Sequence, residues 1–357
     1  MIKPFEEMTT QEHEQVVFCH DKASGLKAII AIHDTTLGPA LGGCRIWNYE
    51  NEDEALFDVL RLSKGMTYKN AAAGLNLGGG KAVILMDPNE KNEAKMRAFG
   101  RFVESLNGRY ITAEDVNTST QDMMYIHDET DHVAGLPEEV GGSGNPSPFT
   151  ALGTFEGIKA TVKHRLGKDS LKGLTVAVQG LGNVGTSLCG MLHEAGAKLI
   201  VTDISEDRMN HCVETFGAEK VGLNEIYSVD ADVFAPCALG AVVNDETIKQ
   251  FKFKVIAGAA NNVLLDQDKH GLALKEMNIL YAPDYIINAG GVINVYYEVI
   301  DEYVRESVTA KVKNIYNTLL DVYKIADEEN IPTHIASARF SERRIDMIGK
   351  VQRTYLA

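Results

Sequence analysis

The stretch LTVAVQGLGNVGTSLCGMLHEAGAKLIVTD, residues 174–203, decides the fold. It opens on a short apolar run and turns through Gly180, Gly182 and Gly185. It then continues with helical patterning and closes on a second apolar run ending in Asp203. A lone GxGxxG says little. Strand, glycines, helix, strand and acidic residue in this order read as a β-α-β unit that holds a dinucleotide. Gly180 permits a tight turn, Gly182 lets the backbone approach a pyrophosphate, and Gly185 lets helix and strand pack closely. Leu181, Asn183 and Val184 complete the loop, where the unpaired N–H groups and positive dipole end of the helix favour phosphate. Asp203 can accept both ribose hydroxyls of adenosine and would repel a 2′-phosphate, which favours NAD over NADP. Arg208 stands close by and keeps NADP in view.

Further apolar runs extend this unit in both directions. ADVFAP, KVIAGA and ILYAP follow it, mostly separated by helical segments, as parallel strands covered on both faces would be. The expected fold is α/β with two domains. Residues 136–330 form a doubly wound Rossmann domain, and residues 1–135 form a mixed α/β domain with a cleft between the two. The boundary falls in HVAGLPEEVGGSGNPSPFTALG, residues 132–153, rich in glycine, proline and serine. Before it, EQVVFCHD and LKAIIAIHD read as strands joined by the turn KASG. Residues 52–74 read as a helix, with an acidic start and a glycine end. KAVILMD and RYITAED read as strands around a second helix. The segment SVTAKVKNIYNTLLDVYKIADEEN reads as helical, and residues 331–357 are expected to pack back on the first domain.

Composition narrows the function classes. The chain has 357 residues, 45% of them hydrophobic, and a formal net charge of −15. An acidic chain of this kind is a poor nucleic-acid or anionic-membrane binder, because both need a basic face. Five scattered cysteines contain no CxxC, and ten histidines show neither HExxH nor another metal-ligand spacing, so no metal site is expected. The acidic N-terminus lacks a signal-peptide pattern, and no apolar run approaches the ~18 residues a membrane span needs. A cytoplasmic location follows as an expectation.

In GLNLGGGKAVILMD, residues 74–87, three glycines lead into Lys81. The Walker spacing fails because Ala82 follows the lysine. The glycines read as a tight, side-chain-free approach that sets Lys81 at the mouth of a buried strand. Lys69 sits late in the long helix, and Asp115 follows RYITAE. Each taken singly is an ordinary solvent charge at the end of an element. Beside an NAD domain they suggest amino-acid chemistry. A fixed cation holds the α-carboxylate, a carboxylate stabilises the iminium left by hydride loss, and a lysine in a closing site acts as base.

At these residues the chain resembles the amino-acid dehydrogenases of the glutamate, leucine, phenylalanine and valine group. The matching segments are GPALGGCRIW, KNAAAGLNLGGGKAVI, TAEDVNT, GNPSPFTALG, VQGLGNVG and INAGGVINV, in family order across most of the chain. The resemblance implies that Lys69 binds the substrate α-carboxylate. Lys81 is then the general acid/base acting through water, and Asp115 holds the amino group. It also implies that Thr150 meets the nicotinamide carboxamide and that backbone at Gly42 and Gly43 flanks the substrate. Asn261, on the cofactor side, or Asn262, on the substrate side, lines their junction. The first domain would carry substrate binding and assembly into a homo-oligomer, with an octamer suggested by the resemblance alone.

The side-chain pocket selects the amino acid. Glutamate enzymes of the family carry a lysine before the Gly-Gly-x-Arg segment, and here that position is Leu41. A γ-carboxylate buried there would be unpaired, at a cost of several kcal/mol. Ala113, Val292 and Val295 match other pocket positions, with ordinary core packing as the lesser reading of the two valines. The set suits a branched aliphatic side chain and points to the leucine-using members. L-leucine would be deaminated reversibly with NAD, and valine and isoleucine would also react, since one methylene is worth only ~1–3 kcal/mol. A valine or phenylalanine enzyme of the same family is the alternative, followed by a non-catalytic NAD-binding module. Asn117 stands where many relatives carry glycine.

Overall fold

The computed structural model describes residues 3–355, with side chains to residue 351. It divides into two compact units. One holds the chain up to Asn145, then Val295–Tyr303 and the chain from Ser341 on; the other holds Pro146–Asn294 and Val304–Phe340. The expected boundary, between residues 135 and 136, lies earlier in the loop that carries this division.

The first unit opens with helix α1 (Pro4–Gln11) and strands β1 (Gln15–Asp21), β2 (Leu26–Asp34), β3 (Ala40–Leu41) and β4 (Cys44–Trp47). Helix α2 (Glu52–Ala72), strand β5 (Gly78–Leu85), helix α3 (Glu93–Glu104), strand β6 (Tyr110–Ile111) and helix α4 (Thr120–His127) follow. The sheet order is β1-β2-β5-β3-β6, with β4 also beside β5. β1 and β2 form an antiparallel hairpin, β2 and β5 are antiparallel, and β3 and β4 run parallel to β5.

Helix α2 starts where Asn51 accepts a hydrogen bond from Glu54 N–H, with Glu52, Asp53 and Glu54 at the positive dipole end and Lys69 in the last turn. Ala55, Leu56, Val59 and Leu60 pack on Ile29, Ala31 and Val83 of β2 and β5. The opposite sheet face is covered by Met96 and Phe99 of α3 and by Met123 and Ile126 of α4, against Ala28, Ile30, Ile32 and Ile84. Each large apolar side chain buried this way is worth about 1.5–3 kcal/mol. The continuous apolar runs follow, because both faces of β2 and β5 are covered.

One expectation is corrected. The three glycines do not lead up to the strand, and Lys81 does not stand at its mouth: Gly78, Gly79 and Gly80 are the strand's first residues, buried in it, and Lys81 is its fourth. At Gly79, glycine is required because helix α2 lies too close for a side chain. A Cβ on Gly79 would stand 2.0 Å from Thr67 Oγ1 and 2.2 Å from Thr67 N. RYITAED yields only the two-residue β6.

The second unit begins with α5 (Ser147–Leu166), β7 (Thr175–Gln179), α6 (Asn183–Glu194), β8 (Lys198–Thr202), α7 (Glu206–Phe216), β9 (Glu219–Lys220), β10 (Val233–Pro236) and β11 (Val255–Ile256). Helix α8 (Gln267–Glu276), β12 (Leu280–Tyr281) and helices α9 (Asp284–Ile287), α10 (Gly290–Val299), α11 (Arg305–Lys313), α12 (Ile315–Glu329) and α13 (Thr333–Tyr355) complete the chain. The strand order is β12-β11-β10-β7-β8-β9, all pairs parallel. Renumbered from β7, this is the 3-2-1-4-5-6 order of dinucleotide-binding sheets. The tail read as one helical run is two helices, α11 and α12, meeting at Asn314. From Ser341 on, α13 is tied to the first unit: Ser341 Oγ donates to Tyr68 O at 3.1 Å and Arg344 to Leu75 O at 2.7 Å.

Candidate active site

In the first unit the strand register builds the site around Lys81. Leu41 pairs with Gly79, and Cys44 pairs with Ala82. Gly42 and Gly43, between β3 and β4, therefore lie opposite Gly80 and Lys81. Neither accepts a side chain: a Cβ on Gly42 would be 1.7 Å from Gly80 O, and one on Gly43 would be 2.4 Å from Glu114 O. Strand alternation turns Lys81 to the same face as Gly79 and Val83, the face covered by α2. Lys81 is buried at 5% exposure. Lys69, half-buried in the last turn of α2, follows the Thr67 that abuts Gly79.

Asp115 meets Lys81 directly, with Oδ2 2.9 Å from Lys81 Nζ. The same oxygen accepts from Arg45 Nε at 3.0 Å. Burial would raise the Asp115 carboxyl, but Lys81 and Arg45 outweigh it and hold the group at about 2. Its backbone is held too: Asp115 N donates to Thr118 Oγ1 at 2.8 Å, and Thr118 Oγ1 reaches Cys44 O of β4 at 3.2 Å. Asn117 inside this turn has φ +61°. Asparagine tolerates the left-handed region better than most residues, so it can serve where relatives carry glycine. Its Nδ2 adds a bond to Ile46 O at 3.0 Å.

Leu41 is buried at 1% exposure, and Ala113, just past β6, is half-buried. Val292 and Val295 are half-buried on α10, Val292 in the second unit and Val295 in the first.

In the second unit the three loop glycines have three separate reasons. Gly180 adopts φ +95°, and a Cβ on Gly185 would be 1.9 Å from Gly180 O. A Cβ on Gly182 would meet nothing within 4 Å. The protein itself does not require glycine there, and the space beside the loop is open. Gly182 starts α6 with no side-chain cap, so no capping side chain covers the first-turn N–H groups of Asn183, Val184 and Gly185, the arrangement that suits an anion. Asp203 Oδ2 accepts from Leu181 N at 2.6 Å, and Oδ1 accepts from Ser205 N at 2.8 Å. This ties the acidic residue to the loop. Arg208 approaches Asp203 at 3.8 Å. These residues fit a dinucleotide: an open cradle, a helix N-terminus and a buried carboxylate at the end of β8. Thr150 lies in the first turn of α5, its Oγ1 donating to Pro146 O at 3.2 Å. Asn261 and Asn262 are exposed beyond β11, and Asn262 has φ +50°. Asn261 Oδ1 accepts from Asn288 Nδ2 at 2.6 Å.

Sequence reasoning missed Arg45, Asp58 and Asn288. Arg45 was visible as the arginine of Gly-Gly-x-Arg, but only the structure pairs it with Asp115. No metal-binding cluster of His, Cys, Asp or Glu occurs among the described residues.

The fold and site define a two-unit amino-acid dehydrogenase, and the chain belongs to the glutamate/leucine/phenylalanine/valine dehydrogenase family. Residues 13–132 match the family's dimerisation domain, and residues 141–208 and 201–350 match its main domain. The chain is 58% identical to leucine dehydrogenase of Geobacillus stearothermophilus over 99% of this chain and 96% of that protein. It is 56% identical to the leucine dehydrogenase of Thermoactinomyces intermedius over 99% of this chain and 97% of that one. The crystal structure of L-tryptophan dehydrogenase from Nostoc punctiforme superposes with a TM-score of 0.86 at 49% identity, covering 96% of this chain and 99% of that one.

Proposed function

We propose that the chain catalyses the reversible NAD-dependent oxidative deamination of L-leucine to 4-methyl-2-oxopentanoate and ammonia, with valine and isoleucine as further substrates. The observation that carries the chemistry is the contact between the buried Lys81 ammonium and the Asp115 carboxylate at 2.9 Å. Near-full-length identity to leucine dehydrogenases supports the choice of amino acid, as does a buried Leu41 where a glutamate enzyme would place a cation.

Lys69 binds the α-carboxylate. Asp115, ionised at working pH, accepts a hydrogen bond from the substrate nitrogen, which reacts as the free amine after the ammonium has lost one proton to solvent, and then faces the iminium. NAD held by the Gly180–Gly185 loop and Asp203 would supply the acceptor for the hydride of the α-carbon. Lys81 removes a proton from water as its oxygen bonds to the imine carbon, giving a carbinolamine. Lys81 returns the proton to nitrogen, then takes the hydroxyl proton as the C=O bond forms and the C–N bond breaks, and ammonia leaves with the 2-oxo acid. Leu41, Ala113, Val292 and Val295 line the side-chain pocket, and Gly42 and Gly43 flank the substrate backbone. Thr150, Asn261 and Asn262 orient the nicotinamide and substrate. Gly180 to Gly185 hold the pyrophosphate, and Asp203 holds the adenosine ribose. The chain works in the cytoplasm as a homo-oligomer, with the octamer as the proposed size; the match to a dimerisation domain supports association.

A substrate panel on the wild type and Leu41→Lys tests the pocket. The wild type should prefer leucine, valine and isoleucine and leave glutamate nearly untouched. Leu41→Lys should lose at least about tenfold in kcat/KM for leucine, since a pocket contact of this kind is worth ~1–3 kcal/mol. Unchanged leucine kinetics would remove Leu41 from the pocket, and glutamate as the best wild-type substrate would overturn the reading.

A further inference from the structure

Arg45 has no part in the chemistry above, yet it is one of the best-held side chains in the first unit. Its Nε donates to Asp115 Oδ2 at 3.0 Å, and its NH1 donates to Asp58 Oδ2 at 2.9 Å. Asp58 is fixed in turn: Tyr49 OH donates to the same oxygen at 2.8 Å, and Arg61 pairs with Asp58 Oδ1 at 3.0 Å. The side chains of Arg45, Asp58 and Asp115 are 21%, 14% and 23% exposed, so solvent screens them weakly. The chain Tyr49–Asp58–Arg45–Asp115 thus runs from α2 and the loop before it, through β4, to the carboxylate beside Lys81.

Both cations at Asp115 use one oxygen. Lys81 and Arg45 meet Oδ2, and Oδ1 has no hydrogen-bond partner among the described residues. The two cations differ in one respect that matters during turnover. A lysine acting as acid and base must lose its proton in part of the cycle, whereas an arginine keeps its charge at every working pH. If Lys81 alone held Asp115, the carboxylate would lose its counter-charge whenever Lys81 became neutral.

We propose that Arg45 is a positioning residue for the deamination. Seated by Asp58 and Tyr49, it keeps the Asp115 carboxylate ionised and turned so that Oδ1 is left for the substrate nitrogen, whether or not Lys81 carries its proton. The inference rests on the roles of Lys81 and Asp115 in the reading above. The charged groups facing Asp115 are Lys81 from β5 and Arg45 from β4, with Asp58 behind Arg45. Cys44, Tyr49 and Tyr110 also face it and are held neutral, each raised by burial.

The test uses the full chain with leucine and NAD, following kcat and kcat/KM against pH for the wild type, Arg45→Gln and Arg45→Lys, with NAD binding measured separately. Arg45→Gln should keep NAD binding, lower kcat about 10- to 100-fold and move the acid limb of kcat/KM up by about one to two pH units, the range a lost neighbouring charge produces. Arg45→Lys should bring the acid limb back. It should leave kcat below wild type, because one ammonium cannot span two carboxylates as a guanidinium fork does. A wild-type kcat and acid limb in Arg45→Gln would overturn the proposal. Should Arg45→Gln fail to bind NAD, Arg45→Lys decides: lowered kcat with a wild-type acid limb supports it, and wild-type kcat overturns it. Absence of leucine turnover in the wild type would sink the functional reading and this proposal together. An active wild type with an indifferent Arg45→Gln sinks the proposal alone.

Discussion

At the scale of single residues, the carboxylate of Asp115 carries the most electrostatic work. Its ordinary value of 3.8 is lowered to about 2: burial pushes it up, and Lys81 and Arg45 push it further down. A group lowered in the folded state contributes stability that is full above its unfolded value and is lost as pH falls toward its folded one. Asp115 therefore contributes about 2 kcal/mol above about pH 4, and that contribution fades toward about pH 2. Denaturant titrations of the wild type and Asp115→Asn across acid pH should give a stability gap that narrows by about this amount as pH falls through the window. A gap that stays constant would contradict the placement of Asp115 between the two cations. The residue scale is also where sequence reading was least complete. Lys81 and Asp115 stood out as charges at the ends of apolar runs, and family resemblance joined them. Arg45 and Asp58 are thirteen positions apart on a strand and a helix. Asp115 comes seventy positions after Arg45. No local pattern announces such a network, because it exists only once β4, β5 and the segment after β6 lie side by side.

At the scale of elements, β5 shows why a correct motif can be read with the wrong geometry. Three consecutive glycines resemble a turn because glycine is costly inside a strand. Here the cost is offset by close approach: α2 presses on Gly79, and Gly80 faces Tyr110, whose ring would lie 2.7 Å from an added Cβ. That approach brings the helix carrying Lys69 against the strand carrying Lys81. The same helix contains a glycine with no such reason. Gly65 is exposed, and a Cβ there would meet nothing within 4 Å. Gly65→Ala should stabilise the protein by about 0.5–1 kcal/mol through helix propensity. Gly79→Ala should destabilise it by about 3 kcal/mol or more, since helix and strand must separate. Unfolding midpoints of the two variants check the contrast, and equal effects would refute the packing argument. The β1–β2 hairpin, α2 and the five principal strands of the parallel sheet were legible from periodicity. The two-residue β9 was not, since Glu219 and Lys220 are exposed and carry no apolar signal.

At the scale of the whole molecule, the sheet order of the second unit follows from the stretch at residues 174–203. A β-α-β unit with this glycine loop places β7 at the centre of a doubly wound sheet, and the remaining parallel strands add to either side. The division of the chain was less legible. The first unit reclaims Val295–Tyr303 and the chain from Ser341 on, which no linker composition marks. A helix such as α10 crosses the division without a break in its pattern. What joins the scales is the proposal that a buried lysine in the first unit performs water chemistry on a substrate oxidised with NAD. The measurement that tests it most directly is leucine-dependent NADH formation at alkaline pH by the wild type and by Lys81→Ala, with NAD binding followed in parallel. The account expects steady turnover by the wild type and a loss of at least about a hundredfold in Lys81→Ala, as removal of a general acid/base costs, with NAD binding retained. Wild-type turnover in Lys81→Ala, or no NADH from any branched-chain amino acid with the wild type, would contradict it.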